Sequence, residues 1–300
     1  MAVDWVSFKK HREQVAKDHG TYVGLLDENG EPLMDCPPMV VGSAPKTRNI
    51  PTSARFQFVT KGQDGLEHPL IPALLGDTAT GQWFAADDEG RVVKTTLDST
   101  RFLIVERSDA PRQVYRFTHA TASSGIDSPG LVEAHGFDML KMLNLIPAFS
   151  APTTISGTWT EFTRDWAGPE GQAITFKKSR YLQDMKMMTV ADGGTVEGAA
   201  ETVIRRVITE SVDATMTAIN QGDPPIVVDQ SGTGLDSPHI LIRPTDGPLL
   251  DEITPHANDS GVHVDAYLWL PGDAAVNGTS FAKPTIVVTV KQMIGVNDGG

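Results

Sequence analysis

One short segment has part of the residue pattern that binds phosphate. Residues 41–47 read Val-Gly-Ser-Ala-Pro-Lys-Thr, and a nucleotide-binding loop also ends in Lys-Thr or Lys-Ser. In that loop a glycine directly before the lysine lets backbone N–H groups approach the phosphate, whereas here the position is proline. The segment therefore does not predict a phosphate site. The Gly-x-Ser-x-Gly pattern of many serine hydrolases is absent from the sequence.

The histidines do not have the spacing of a zinc hydrolase, which needs two histidines at helical spacing with a glutamate beside them. His256 and His263 flank Gly261 and could approach each other across a bend. We interpret them as surface or interface histidines. We predict no metal site and no cofactor.

Acidic and aromatic residues leave one further chemistry open, the binding or cleavage of a sugar. Residues 87–89 are Asp-Asp-Glu, and Trp83 and Trp166 could stack on a sugar ring. A glycosidase, however, needs two carboxyl groups held about 5–10 Å apart across a cleft, which sequence spacing does not define. We interpret the acids as solvated loop residues and predict no catalytic residue.

The composition excludes some classes of protein. With 25 basic and 38 acidic residues among 300, the net charge of −13 repels phosphate backbones. Cys36 is the single cysteine, so an internal disulfide is impossible. No apolar run approaches the about 20 residues that span a bilayer, and the first 20 residues lack the apolar centre of a secretory signal. We expect synthesis in the cytoplasm.

The first 20 residues predict a helical arm. Trp5, Phe8, Arg12 and Val15 fall near one face, and residues 9–12 are the most basic patch of the sequence. Such a helix either packs on its own domain or docks on an acidic neighbour.

The next part of the chain alternates short strand patterns with turn residues. An Asn-Gly pair between 21–26 and 32–41 predicts a hairpin, and 53–60 alternates as a strand. A loop-rich excursion over 61–99 precedes a second hairpin, 101–107 with 113–121. A strand over 131–135, a sharp bend at Gly136 and a helix over 137–145 complete the region. This order favours an antiparallel barrel or sandwich.

Residues 151–190 predict a less regular pair of strands, and 194–271 predict an α-β-β-α-β unit. Apolar residues from Val196 to Val212 recur at helical spacing. Strands at 226–228 and 240–242 follow, and Asp246 is the expected cap of a short helix that ends at Gly261. Residues 262–270 alternate as a strand, and a last strand is expected over 285–294.

The order of these motifs resembles the tail hub, or minor tail protein, family of long-tailed actinobacterial phages. The resemblance rests on Gly-Thr-Val-Glu at 194–197, on Pro-Leu-Leu-Asp-Glu-Ile at 248–253, and on Leu-Val-Glu-Ala-His-Gly-Phe-Asp-Met-Leu at 131–140. It covers most of residues 20–270 as pattern and order. Phe137 departs from it, since the family often has a basic residue at that position.

The resemblance implies an α+β, mainly β fold with two β-barrel-like domains. The expected ranges are an arm (1–20), a first barrel-like domain (21–150), the start of a second (151–193), an inserted α-β subdomain (194–271) and a returning strand (272–300). It also implies a homotrimeric ring at the virion tail tip. The ring would join the distal tail protein and the carboxy-terminal end of the tape-measure protein to spike or other minor tail proteins, with DNA as passing cargo.

Aromatic and basic side chains are the candidate contacts of such a ring. The candidates are Trp5, Phe8, Lys9, Lys10, Arg12, Trp166 and Trp269. The alternative function is a virion-associated carbohydrate-binding or cell-wall hydrolase module, and an ordinary cytoplasmic enzyme is a third.

Overall fold

The protein is mainly β, with several antiparallel sheets and a few helices, which confirms the α+β class predicted from the sequence. The computed structural model describes residues 3–61, 65–75, 85–86, 92–93, 100–124, 129–164, 175–186, 194–219 and 225–293. The helices of the described residues are α1 (Trp5–His19), α2 (Leu70–Leu75), α3 (Ala200–Ile219) and α4 (Leu249–Asp259), with 3₁₀ helices at Met139–Leu145 and Pro152–Thr154.

The strands of the described residues fall into five sheets. They are β1 (Thr21–Leu26), β2 (Pro32–Asp35), β3 (Met39–Ser43), β4 (Ser53–Val59), β5 (Ala85–Ala86), β6 (Val92–Val93), β7 (Phe102–Arg107), β8 (Ala110–Ser124), β9 (Pro129–Asp138), β10 (Ser156–Arg164), β11 (Thr175–Lys186), β12 (Val196–Ala199), β13 (Ile226–Val228), β14 (His239–Ile242), β15 (Val262–Trp269) and β16 (Thr285–Gln292).

The chain forms two compact units, each built from separated parts of the sequence. The first contains residues 1–141 and 265–287, and the second contains 142–264 and 288–300. The boundaries expected from the sequence, at 150 and 271, do not coincide with this division. A three-stranded sheet has the order β13-β16-β15.

The first unit contains a seven-stranded antiparallel sheet in the order β2-β1-β7-β8-β9-β4-β3. Alternation in the sequence places one face of each strand in the core. In β4, for example, Ala54, Phe56 and Phe58 are buried, as the sequence predicted for this strand. Helix α2 adds Leu70 and Ile71 to the same core. Its six residues lie in a region that the sequence predicted only as loop.

The two edge strands of this sheet are consecutive in the chain. Between β2 and β3 lie only residues 36–38, Cys-Pro-Pro. A fully extended chain spans at most about 3.5 Å per residue, so the Cα atoms of Asp35 and Met39 are no more than about 14 Å apart. The sheet therefore curls, so that the carboxy-terminal end of β2 lies near the amino-terminal end of β3.

Two expectations for residues 131–145 are wrong. Gly136 is not a bend, because β9 continues through it to Asp138 and pairs with both β4 and β8. A Cβ atom at this position would lie 2.7 Å from the carbonyl oxygen of Arg116, so the glycine permits a close approach of two strands. The helix predicted from residue 137 begins at Met139 and is 3₁₀ rather than α.

The second unit departs from the sequence-based prediction at the start of its long helix. Val196–Ala199 form a strand that pairs with β14, with Val196 opposite Ile242, and α3 begins only at Ala200. The predicted helix began four residues too early, because the apolar residues of 196–199 continue the helical spacing. Pairing with a distant strand overrides this local pattern. The buried stripe inside α3 is as predicted, with Val203, Ile204 and Val207 in the core.

Helix α4 begins without the predicted cap. The carboxylate of Asp246 accepts hydrogen bonds from the backbone and hydroxyl of Ser150, at 2.8 and 3.1 Å. The N–H group of Gly247 before the helix instead donates to Glu252, at 2.7 Å. Gly261, with φ of 72°, follows the helix as predicted, and strand β15 starts at the next residue.

Candidate interaction surface

Helix α1 carries most of the candidate contact residues, and its ends are defined by local hydrogen bonding. The carboxylate of Asp4 accepts from the backbone N–H and the hydroxyl of Ser7, at 3.0 and 2.7 Å, and these bonds lower the pKa of Asp4. Gly20 ends the helix with φ of 82°, a conformation that glycine adopts without strain. The helix predicted for the amino-terminal arm is therefore present over Trp5–His19.

Arg12 fixes α1 to the seven-stranded sheet and is not part of an exposed basic patch. Its side chain is only 2% exposed, and its Nε donates to Glu106 on β7 at 2.8 Å. The guanidinium also lies 4.4 Å from the ring centroid of Phe8. The position of Arg12 corrects its inclusion among the contact residues, because a desolvated cation with two intramolecular partners presents no charge to a neighbouring protein.

An aromatic cluster joins α1 to strand β1. Phe8 packs edge-on against Trp5 and Tyr22, with ring centroids 6.1 and 6.5 Å apart. Trp5, Phe8 and Lys9 are half-buried, whereas Lys10 is exposed. Helix α1 is therefore partly covered by its own unit, and the exposed parts of Trp5, Phe8, Lys9 and Lys10 can contact a partner.

Three polar groups meet beside this cluster at strand β2. The Nε2 atom of His11 lies 2.6 Å from one carboxylate oxygen of Asp35, and the Tyr22 hydroxyl donates to the other oxygen at 2.8 Å. Burial, followed by the hydrogen bond to Asp35, raises the pKa of Tyr22 above its ordinary value. The phenol therefore stays protonated, and Asp35 serves as the common acceptor that holds α1, β1 and β2 together.

A cleft of about 450 Å³ opens next to these residues, where the chain leaves β2 for β3. Val15, Tyr22, Cys36, Pro37 and Met39 are among its lining residues. The volume is in the range of small-molecule pockets, about 300–1,000 Å³.

The chemistry of the cleft favours binding over catalysis. A histidine next to an aspartate could act as a general base if it also faced a nucleophile. The cleft's thiol is unsuited to that role, because burial, with a smaller contribution from the charge of Asp35, raises the pKa of Cys36. The thiol is thus held in its protonated, weakly nucleophilic form.

The remaining candidate contact residues do not join this surface. Trp269 is 1% exposed, donates from Nε1 to the carbonyl oxygen of Ala274 at 2.8 Å, and packs edge-on against Phe281. Its burial corrects the expectation of a surface contact, and its place is in a small apolar core with Val276 and Val287. Trp166 lies outside the described residues, as do Trp83 and the acidic cluster at 87–89.

The described part of the chain has neither a cluster of metal ligands nor a membrane-spanning helix. There, no three side chains of the His, Cys, Asp or Glu types are grouped so that they could hold a metal ion. The helices of the same residues include none with the length and apolarity of a membrane span.

The sequence identified the helix of this site but missed its partners. Tyr22, Asp35 and Glu106 come from three different strands, and their separations from α1 along the chain follow no regular spacing. Only the strand order brings them together. The one available signal was the presence of acidic residues, Asp35 and Glu106, within two predicted strands, where a nearby basic helix could meet them.

Comparisons with known proteins neither support nor oppose the resemblance seen in the sequence. The chain matches no protein-family model and no curated protein.

Proposed function

We propose that this chain is a structural subunit of the tail tip of a long-tailed phage, where copies of it form a hub ring. The ring joins the distal tail protein and the end of the tape-measure protein to spike or receptor-binding proteins. DNA passes through it during ejection, and assembly rather than turnover is its activity.

The observation that carries this proposal is the curled seven-stranded sheet. Its edge strands β2 and β3 are separated by only residues 36–38, so their neighbouring ends lie close together. A curled antiparallel sheet of this kind supports the barrel-like first domain that the resemblance implies, although β2 and β3 are not paired with each other in the described strands. The second barrel-like domain is part of the same proposal.

Charge and chemistry also support a structural role. The net charge of −13 disfavours binding to passing DNA. The candidate site contains a protonated, half-buried thiol and a helix held by Arg12 and Asp35, an arrangement that fits a rigid contact surface. Trp5, Phe8, Lys9 and Lys10 are the contacts that we assign to a neighbouring tail protein.

Electron microscopy of labelled virions tests the proposal. Phage particles produced from a genome that encodes this chain are labelled with gold-conjugated antibodies against it. We expect gold at the tail tip, and particles without the tip when the gene is interrupted by a stop codon. Complementation in trans should restore the tip. Intact, infectious particles in the absence of the protein would contradict the proposal.

A further inference from the structure

The second unit contains a long two-stranded ribbon made of β10 and β11. The two strands pair antiparallel from Ser156 opposite Lys186 to Arg164 opposite Thr175. They contain 9 and 12 residues, so the ribbon is about 30 Å long at the usual rise of about 3.4 Å per residue. Among the described strands, each pairs only with the other.

A ribbon of this length needs stabilising contacts beyond its own hydrogen bonds. Isolated two-stranded hairpins are marginally stable in water. Its main packing partner among the described elements is α3. Close to the start of β10, Phe149 and Ile155 are buried with Ala214 of α3. These contacts anchor the start of the ribbon. Within the described sheets both β10 and β11 are edge strands, which other chains can bind.

The charge of the ribbon is opposite to that of the rest of the protein. The 21 residues of β10 and β11 include five basic and two acidic residues, a net charge of +3. All other residues together carry −16. The basic residues are Arg164, Lys177, Lys178, Arg180 and Lys186. The ribbon is thus electrostatically complementary to the remainder of an identical chain.

Three of these basic residues, Arg164, Arg180 and Lys186, are exposed. Arg180 is opposite Phe162 and Lys186 is opposite Ser156. These two pairs are six positions apart along each strand, and because side chains alternate with a period of two, Arg180 and Lys186 share one face of the ribbon. The guanidinium of Arg180 lies 4.2 Å from the ring centroid of Phe176. Arginine together with aromatic residues is typical of the central contacts of protein interfaces.

We propose that the β10–β11 ribbon binds the acidic surface of a second copy of this chain. This inference rests on the proposed ring and names the part of the chain that joins neighbouring subunits. A nucleic acid is the other polyanion that a basic, aromatic ribbon could bind. The charge of −16 on the remaining residues repels nucleic acid but attracts the ribbon of a second copy, and this difference favours self-association.

Charge reversal tests the inference on the full-length protein. The variant Arg164→Glu, Arg180→Glu, Lys186→Glu is compared with the wild type by sedimentation velocity at low and at high salt. We expect the wild type to self-associate at low salt, and the variant to do so roughly tenfold more weakly, the effect of losing a few partly solvated ion pairs. High salt should weaken the wild type and have little effect on the variant.

A second charge reversal controls for the overall change in net charge. Lys17→Glu, Lys61→Glu, Lys141→Glu introduces the same number of negative charges at exposed positions of the first unit. It should associate like the wild type. Circular dichroism and thermal melting establish that both variants are folded. A second variant removes the contact by deletion: its ribbon keeps only residues 156–159 and 183–186, joined by a Gly-Ser turn.

Three results would overturn the inference: a wild type that is monomeric at all concentrations, equal association of the ribbon and control variants, or ribbon-dependent binding to duplex DNA in place of self-association. These results do not decide the proposed function. A subunit can be found at the tail tip and be held there by other proteins, and gold labelling of virions reports on that separately.

Discussion

Arg12 and Glu106 are 94 positions apart in the sequence and form a part-buried ion pair of 2.8 Å between helix α1 and strand β7. The arginine is 2% exposed and the glutamate side chain 16%. A pair in this environment contributes little net stability compared with apolar residues, but the loss of one partner leaves the other charge desolvated.

Removal of the arginine alone should therefore destabilise the first unit. We expect Arg12→Met to lower the free energy of unfolding by about 3 kcal/mol, measured by urea denaturation. Glu106→Leu in the same chain should restore much of the loss. Lys17→Met, which removes an exposed cation from the same helix, is the matched control and should change stability by less than about 0.5 kcal/mol. Equal effects of Arg12→Met and Lys17→Met would show that the pair has no structural role.

Asp138 should give the protein an unusual pH dependence. Burial raises the pKa of this carboxyl group, although Thr52 donates hydrogen bonds to it from its N–H and hydroxyl at 2.9 and 2.8 Å. A raised folded-state pKa stabilises the folded protein at low pH, and this contribution is lost as the pH rises through the folded value. The stability of the wild type relative to Asp138→Asn should thus fall as the pH rises from the ordinary aspartate pKa through the raised folded-state pKa.

Asp4 provides the opposite case for the same measurement. Hydrogen bonds from Ser7 lower the pKa of Asp4, so its contribution is present above the ordinary aspartate value and is lost as the pH falls through the lowered one. The wild type should gain stability relative to Asp4→Asn as the pH rises. If both variants gave curves of the same slope, the assignment of Asp138 as a desolvated carboxyl group would be wrong.

Gly136 should resist even the smallest side chain. A Cβ atom there would lie 2.7 Å from the carbonyl oxygen of Arg116, and backbone atoms of a central strand pair move only at the expense of its hydrogen bonds. We expect Gly136→Ala to cost about 1–3 kcal/mol in chemical denaturation, the usual range for an overpacked site. Gly130→Ala, in the same strand but with open space at the Cβ position, should cost less than about 1 kcal/mol. The reverse order would contradict the observed β8–β9 pairing.

The thiol of Cys36 should be slow to react in the folded protein. Burial raises its pKa, and the thiolate is the reactive form. Reaction with a chromogenic disulfide at pH 8 should be much slower in the native state than in urea. Ser43→Cys, at an exposed position of β3, provides a fast-reacting control when combined with Cys36→Ser. Native Cys36 reacting as quickly as that control would indicate an accessible thiolate and reopen nucleophilic chemistry for the cleft.

The sequence predicted elements better than it predicted partners. Alternating residues located β4 and β15, and the Asn-Gly pair located the β1–β2 hairpin, because these patterns reflect local geometry. The strand at Val196–Ala199 was missed since its partner residues lie 40 to 46 positions away, in β14. Gly136 looked like a bend for a similar reason: only the neighbouring strand shows why a side chain is excluded.

The candidate site was predicted in part. Helix α1 and its aromatic residues followed from spacing, but the burial of Arg12 depends on Glu106 and could not be read from a basic run of residues. Trp269 was assigned to a surface because it alternates with buried residues in β15, whereas the segment after the strand folds back to cover it through Ala274 and Phe281. Long-range contacts of this kind leave no periodic signal.

The most direct test of the central claim is a cryo-electron microscopy reconstruction of the tail tip of virions that encode this chain. The proposal predicts a threefold ring of density into which both units of the chain can be placed, between the distal tail protein and the spike, with the β10–β11 ribbon against a neighbouring copy. A tail tip whose ring density fits another protein, in particles that lack this chain by mass spectrometry, would contradict it.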